Sequence, residues 1–298
     1  MTKPKIAVVG VPGKWSTEVL ADALEDRTGY RQVIDMANVA LDLGTGQLKQ
    51  GDLDLCELDA LIVKKISGEY SPTTMDRLEL LRFAEAKGVR VFSSADRMLK
   101  LIDRASCTLT LANHDIPMPP TLLTEDIDAA LSAIQRYQEA ILKPLFSTKA
   151  RGMIVLDASQ GREKLRRRLE RFKESNPMLY IQKKLNLNGQ DLGMIFLGGR
   201  YLGAYARVSR DGAWDTTINS GGRYAPFEAD DALIELAQRA QAPFGLDFTT
   251  VDVAITDQGP VVFEVSAFGG FKGALKGANI DAAKLYSNYV LEQLHNGQ

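Results

Sequence analysis

The sequence predicts an α/β fold that becomes α+β in its C-terminal lobes. Three observations support this. Short apolar runs alternate with amphipathic stretches over roughly the first hundred residues, which is the pattern of a parallel sheet flanked by helices. The middle of the chain mixes helices with isolated strands. The last third is mostly strand, ending in a hairpin and one helix.

Taken in order, "KIAVVG" reads as a buried strand, and "STEVLADALEDRTG" as a helix capped by Ser16 and closed at Gly29. "ALIVKKI", "PTTMDRLELLRFAEAKG" and "VRVFSS" repeat the strand–helix–strand alternation. A second unit starts near Ala95 with a helix through "LIDRASCTLTLANHD", followed by "IPMPPT", which its prolines hold extended. A helix through "DIDAALSAIQRYQ" and the strand "EAILKPLF" come next. In "REKLRRRLERFKE", Leu165, Leu169 and Phe172 recur at helical spacing, so its basic residues form a solvated face. After the strand "LYIQKKL", the third unit contains "GMIFLGG", "YLGAYARV", the hairpin and the helix "DAAKLYSNYVLEQL". These units predict an N-terminal domain over 1–96, a central lobe over 97–184 and a C-terminal lobe over 185–298. No internal repeat or low-complexity linker interrupts them.

Composition removes several function classes. The chain has 298 residues with 36 basic against 38 acidic side chains, so no long-range field for nucleic acid or anionic membrane is expected. No apolar window reaches the length of a signal peptide or membrane helix. Cys56 and Cys107 are too few for a disulfide framework or zinc site, which fits a reducing cytoplasm. With only His114, at a helix end, and His295, histidine-based metal or triad chemistry is not expected, and the work falls to Lys, Arg, Asp and Glu. "GVPGKWST" is not a P-loop, because Val8 stands where a Gly is required and Trp15 where Ser or Thr would hold magnesium. It reads as a tight strand-to-helix turn that could hold an anionic substrate at the helix start.

The hairpin "VDVAITDQGPVVFEVSAFGG" poses an electrostatic problem. With Gln258 at the tip, Asp252 faces Glu264 directly across the strands, and like charges so placed repel. Ser266 shares their face, while Val253, Phe263 and Val265 point away. A solvated face paired to Lys or Arg is one solution. A hard divalent cation is the other, since magnesium takes oxygen ligands and keeps open positions for phosphate. The small-residue loop "SAFGGFKG" that follows lets backbone approach a ligand. Lys143 ends the apolar strand "AILKPLF" and needs an anion or an acidic partner there. The adjoining loop "STKARG" offers Lys149 and Arg151 to phosphates, and "LYIQKKLNLNGQD" brings Gln182, Lys183 and Asp191 into a hinge.

A strand Lys, a basic loop, a hinge strand and an Asp–turn–Glu hairpin ending in Gly, in this order, resemble the ATP-grasp superfamily. Within it, the chain from about Asp103 to Asp281 resembles the RimK-type ligases, through "DIPMPPT", "ILKP", Gly221–Gly222 and the hairpin. The whole chain is similar to ATP-grasp proteins of the GAK system, a likeness that brings no substrate. The resemblance implies a Rossmann-like N-terminal domain and two lobes that sandwich ATP. It implies that Lys143 binds inner phosphates and that the hinge of Gln182, Lys183, Lys184 and Leu185 holds adenine. Asp191 would meet ribose, and Arg207 would stabilise the transferring phosphate. Asp252 and Glu264, with Ser266 in place of the family Asn, would bind two magnesium ions, manganese being an alternative. Arg104 replaces a Lys, Thr217 an Asn and Ser220 an Arg, the last two toward the acceptor. The implied reaction is carboxylate–amine ligation through an acyl phosphate. A small-molecule or protein carboxylate and an amino acid are its substrates, and part of the acceptor site lies near Gly10–Ser16. A homo-oligomer is compatible with the sequence. A phosphotransferase on the same fold and a non-catalytic nucleotide binder are the alternatives.

Overall fold

A computed structural model describes residues 3–148, 150–210, 216, 218 and 221–296. The N-terminal region contains β1 (Ile6–Val9), α1 (Trp15–Thr28), β2 (Val33–Ile34), β3 (Ala40–Asp42), β4 (Gln47–Gln50), β5 (Leu53–Asp54), β6 (Ala60–Val63), α2 (Thr73–Ala86) and β7 (Arg90–Phe92). The order β2-β1-β6-β7 makes a parallel sheet. β1 and β6 are apolar and buried throughout, as central strands covered on both faces must be. The small antiparallel sheet β3-β4-β5 was not anticipated from the sequence. Helix α1 closes at Gly29 in the left-handed region, as expected, with its amide bonded to the Glu25 carbonyl. Its start differs: the cap is Lys14, which makes no side-chain bond, and Ser16 already lies inside the first turn.

The middle of the chain holds α3 (Ala95–Leu99), α4 (Arg104–Ala112), β8 (Thr121–Thr124), α5 (Ile127–Tyr137), β9 (Glu139–Leu142), β10 (Ile154–Asp157), α6 (Arg162–Lys173) and β11 (Leu179–Lys183). Asp103 and Asp126 cap α4 and α5 through their carboxylates. The strands form the antiparallel sheet β10-β9-β11-β8, and α6 buries Leu165, Leu169 and Phe172 as its spacing predicts. β12 (Gln190–Leu197), β13 (Arg200–Val208), β14 (Arg223–Phe227), α7 (Asp231–Gln241), β15 (Phe248–Thr256), β16 (Gly259–Ser266), α8 (Phe271–Ala278) and α9 (Ala282–Asn296) complete the fold. Their strands make a five-stranded antiparallel sheet in the order β14-β13-β12-β15-β16.

The apolar core is not divided along the chain. Ala7, Val9 and Val63 of the parallel sheet share one cluster with Leu192, Val251 and Val265 of the last sheet. Ile6, Val8 and Leu24 share a second with Phe248, Tyr286 and Val290, so α9 packs against α1. The central sheet and its helices α5 and α6 have a core of their own. Among the described residues no helix is long and apolar enough to cross a membrane.

Candidate active site

The hairpin positions the acidic pair as its sequence pattern requires. Asp252 is the cross-strand partner of Glu264, and Thr250 of Ser266. The path to that register is not regular. Thr256 pairs with Gly259, which puts two residues, Asp257 and Gln258, in the turn, and Val253 pairs with Val262. Phe263 is the extra residue of a β-bulge between these registers. The bulge corrects one expectation: Phe263 does not point away from the site. Its ring centroid lies 5.3 Å from Lys143 Nζ, and it lines the cleft with Glu264 and Ser266.

The repulsion between the carboxylates is balanced by arginines. Arg207 bridges Asp191 and Asp252, with Nε 3.1 Å from Asp191 Oδ1 and Nη2 3.0 Å from Asp252 Oδ2. Nη2 also donates to Asp191 Oδ2, which makes the Asp191 contact two-pronged. Arg104, on α4, places Nη1 3.1 Å from Glu264 Oε2. Burial pushes the Asp252 carboxyl up to about 7; Arg207 opposes that rise, and the charges of Glu264 and Asp191 add to it. Burial acts against the Arg207 cation, but its two carboxylates hold it charged, well above the ordinary arginine range.

On the facing sheet, Lys143 follows β9 and is only 7 % exposed. Its ammonium donates to Gln182 Oε1, and Gln182 Nε2 in turn donates to Thr121 Oγ1 at 3.0 Å and to the Tyr180 hydroxyl at 3.2 Å. Burial, reinforced by Arg104, lowers the Lys143 ammonium to about 7, against the pull of Glu264. The backbone of Lys183 donates to Pro120 at the hinge, while the Lys184 side chain is paired with Glu139 at 2.8 Å. Leu185 follows in the same half-buried stretch. Arg151, across the candidate phosphate loop, reaches Glu69 of the N-terminal region at 2.6 Å. Ser266 Oγ accepts from the Phe268 amide at 3.4 Å, and Glu18 Oε1 accepts the Gly13 amide at 2.6 Å in the turn before α1. Lys149, Thr217 and Ser220 lie outside the described residues.

Sequence reasoning missed two contributors from the N-terminal region. Tyr70 packs edge-on against Phe268, with centroids 6.1 Å apart, and lines the cleft beside Glu264. Lys64, 5 % exposed, donates to the Phe268 and Gly269 carbonyls at 2.6 and 2.8 Å. A lysine closing the apolar run "ALIVKKI" is the same signal that singled out Lys143. Tyr70 has no comparable signal, because its loop is fixed by contacts distant in sequence.

Asp252, Glu264 and Ser266 present oxygen donors only, on one face and next to a buried ammonium. That donor set suits a hard cation such as magnesium together with phosphate oxygens. Comparison with known proteins bears on this directly. Residues 102–290 match the model of the RimK-like ATP-grasp domain. The chain is 26 % identical to the tetrahydromethanopterin:alpha-L-glutamate ligase of Methanosarcina acetivorans, over 99 % of both chains. In structure it is similar to the ATP-grasp ligase PsnB complexed with a minimal precursor, with a TM-score of 0.75, 19 % identity and coverage of 98 % and 99 % of the two chains. It is also similar to the RimK domain protein ATP-grasp from Sphaerobacter thermophilus, with a TM-score of 0.73, 21 % identity and coverage of 96 % and 98 %.

Proposed function

The chain belongs to the RimK-like ATP-grasp family, and from that premise we propose how its own residues perform ATP-dependent carboxylate–amine ligation. In this reaction a carboxylate attacks the γ-phosphoryl group of ATP, giving an acyl phosphate and ADP. An amine then displaces phosphate to leave an amide. The carboxylate belongs to a small molecule or a protein, and the amine to an amino acid, with L-glutamate the first to test. The reaction takes place in the cytoplasm, where Cys56 and Cys107 stay reduced.

The single observation that carries the reading is the cross-strand pair Asp252–Glu264, whose Glu264 lines the cleft with Phe263 and acts electrostatically on buried Lys143, the ammonium that lies over the Phe263 ring. Lys143 holds the inner phosphates, for which its burial without a carboxylate partner among the described residues prepares it. The backbone of Gln182 to Leu185 takes the adenine. Asp252, Glu264 and Ser266 would hold magnesium, as two ions or with manganese in its place, which would supply charge neutralisation at the phosphates. Arg207 and Arg104, which now balance the carboxylates, turn to the phosphoryl oxygens. Asp191 aims Arg207: the carboxylate is 7 % exposed and both of its oxygens are engaged by the guanidinium. The loop around Arg151 excludes water from the acyl phosphate, and Lys149 belongs to that loop.

Replacing Glu264 by Gln tests the reading. The expected result is loss of magnesium-dependent ADP formation with thermal unfolding close to wild type. Undiminished turnover would remove the hairpin from the mechanism. ADP formed without free phosphate would indicate phosphotransfer to a hydroxyl instead.

A further inference from the structure

Tyr205 lies in a cradle that only glycines permit. A Cβ at Gly277 would stand 2.4 Å from Tyr205 Cβ, one at Gly273 would stand 2.3 Å from its Cζ, and one at Gly270 would stand 2.7 Å from its hydroxyl oxygen. The side chain therefore runs lengthwise along one stripe of α8, with the hydroxyl at the N-terminal end of that helix. On the other side of the ring lies Gly193, whose Cβ would come within 2.6 Å of the same oxygen. Gly193 is the register partner of Tyr205 on one side and of Asp252 on the other. The hydroxyl thus sits over β12, the strand next to β15, which carries Asp252; neighbouring strands lie about 4.8 Å apart.

Tyr205 is 3 % exposed, and its hydroxyl makes no hydrogen bond to a described residue. The one fully buried side-chain oxygen without a partner among the described residues is Thr17 Oγ1, so the Tyr205 oxygen is not sealed off and can meet a ligand. Burial raises the phenol above its usual range, so it stays protonated and is a donor. The backbone beside it is prepared in the same sense. Lys64 holds the carbonyls of Phe268 and Gly269. Because N–H and C=O point opposite ways across a planar trans peptide, the amides of Gly269 and Gly270 face away from Lys64. Neither amide has an acceptor among the described residues, and both stand at the positive end of α8.

We propose that the Tyr205 hydroxyl, with the Gly269 and Gly270 amides, binds a carboxylate oxygen of a substrate beside Asp252, making Tyr205 a specificity-determining residue of the ligase. The assignment rests on the ligase reading above and deepens it, since a row of neutral donors recognises an anionic oxygen. Two sources present that oxygen: the carboxylate to be activated, or the carboxylate of the incoming amino acid.

The test uses calorimetry on full-length protein loaded with Mg–ADP. The probes are N-acetyl-L-glutamate, a carboxylate with no free amine, and L-glutamate. Tyr205→Phe keeps the ring in its cradle and removes only the donor. It should weaken binding of one or both probes by about tenfold or more while Mg–ADP affinity stays within about twofold. Gly270→Ala, which crowds the hydroxyl, should produce the same loss. Weakened binding of N-acetyl-L-glutamate assigns the activated carboxylate; weakening confined to L-glutamate assigns the amino acid. Equal binding of both probes by wild type and Tyr205→Phe overturns the proposal, as does wild type that binds Mg–ADP but neither probe. Wild type that fails to bind Mg–ADP overturns the ligase reading itself.

Discussion

Lys64 and Lys143 each follow a buried strand, β6 and β9, and burial lowers both ammonium groups to about 7. For Lys64 the neighbouring Lys65 adds to that fall. A neutral amine retains two N–H donors, which matches the two carbonyls that Lys64 serves. An unfolded lysine titrates near 10.5, so between about 7 and 10.5 the unfolded chain holds a proton that the native state lacks. Stability contributed through Lys64 therefore rises with pH across that window and is lost as pH falls toward 7. Thermal unfolding of wild type should gain on Lys64→Met between pH 7 and pH 9; a gap that stays flat or narrows would contradict the assignment. Lys143 gives a binding counterpart. Nucleotide phosphate favours its charged form, so ATP binding at pH 8 without magnesium should take up protons, as read from calorimetry in buffers of different ionisation heat. Lys143→Met should abolish the uptake. Omitting magnesium avoids the opposing proton release from Asp252. Both lysines were open to sequence reasoning by one criterion, a cation closing an apolar strand. Tyr205 was not, because the glycines that cradle it stand at 193, 270, 273 and 277 and meet only in the fold.

Helix α8 carries two opposing effects of glycine. In a helix interior, Gly to Ala ordinarily gains about 1 kcal/mol. At Gly273 the added carbon would lie 2.3 Å from the Tyr205 ring, and overpacking of this kind costs about 1–3 kcal/mol. The clash should win, so Gly273→Ala should lower stability in denaturant titrations. In a Tyr205→Ala background the same change should be neutral or stabilising, and an identical effect in both backgrounds would show that the ring is not what the glycine accommodates. The hairpin of β15 and β16 shows how far an element can be read from its sequence. Alternation and the polar turn sufficed to place Asp252 opposite Glu264. The same pattern misplaced Phe263, because a bulge adds one residue and turns its ring onto the Lys143 side. Period-two reasoning has no signal for that insertion. The cap of α1 failed for a related reason: Ser16 has the right chemistry, but the chain enters the helix at Trp15, one residue earlier.

Across the whole molecule, the three units read along the sequence are joined differently from their order. Alternating strands and helices made the parallel sheet legible, yet nothing local shows that α9 returns to pack on α1, or that Val9 and Val63 share a core with Leu192 and Val251. The sheet β10-β9-β11-β8, with α5 and α6, keeps a separate core running from Ala130 to Ile181. Such a lobe has its own cooperative unit and few apolar ties to hold it against the others. Its polar ties are concentrated at the site, where Lys143 reaches Phe263 and Arg151 reaches Glu69. Those pairs bridge the cleft that the nucleotide would fill, so occupancy should fasten the lobe to the rest of the chain. Hydrogen exchange with and without a magnesium-bound, non-hydrolysable ATP analogue tests this. Amides of residues 121–183 should exchange faster than those of β1, β6, β12 and β15 in the free protein and should gain the larger protection on binding. Lys143→Met should erase most of that gain. Uniform protection across all three sheets would instead mean that the molecule opens as one body, and that nucleotide stabilises it without closing the lobe.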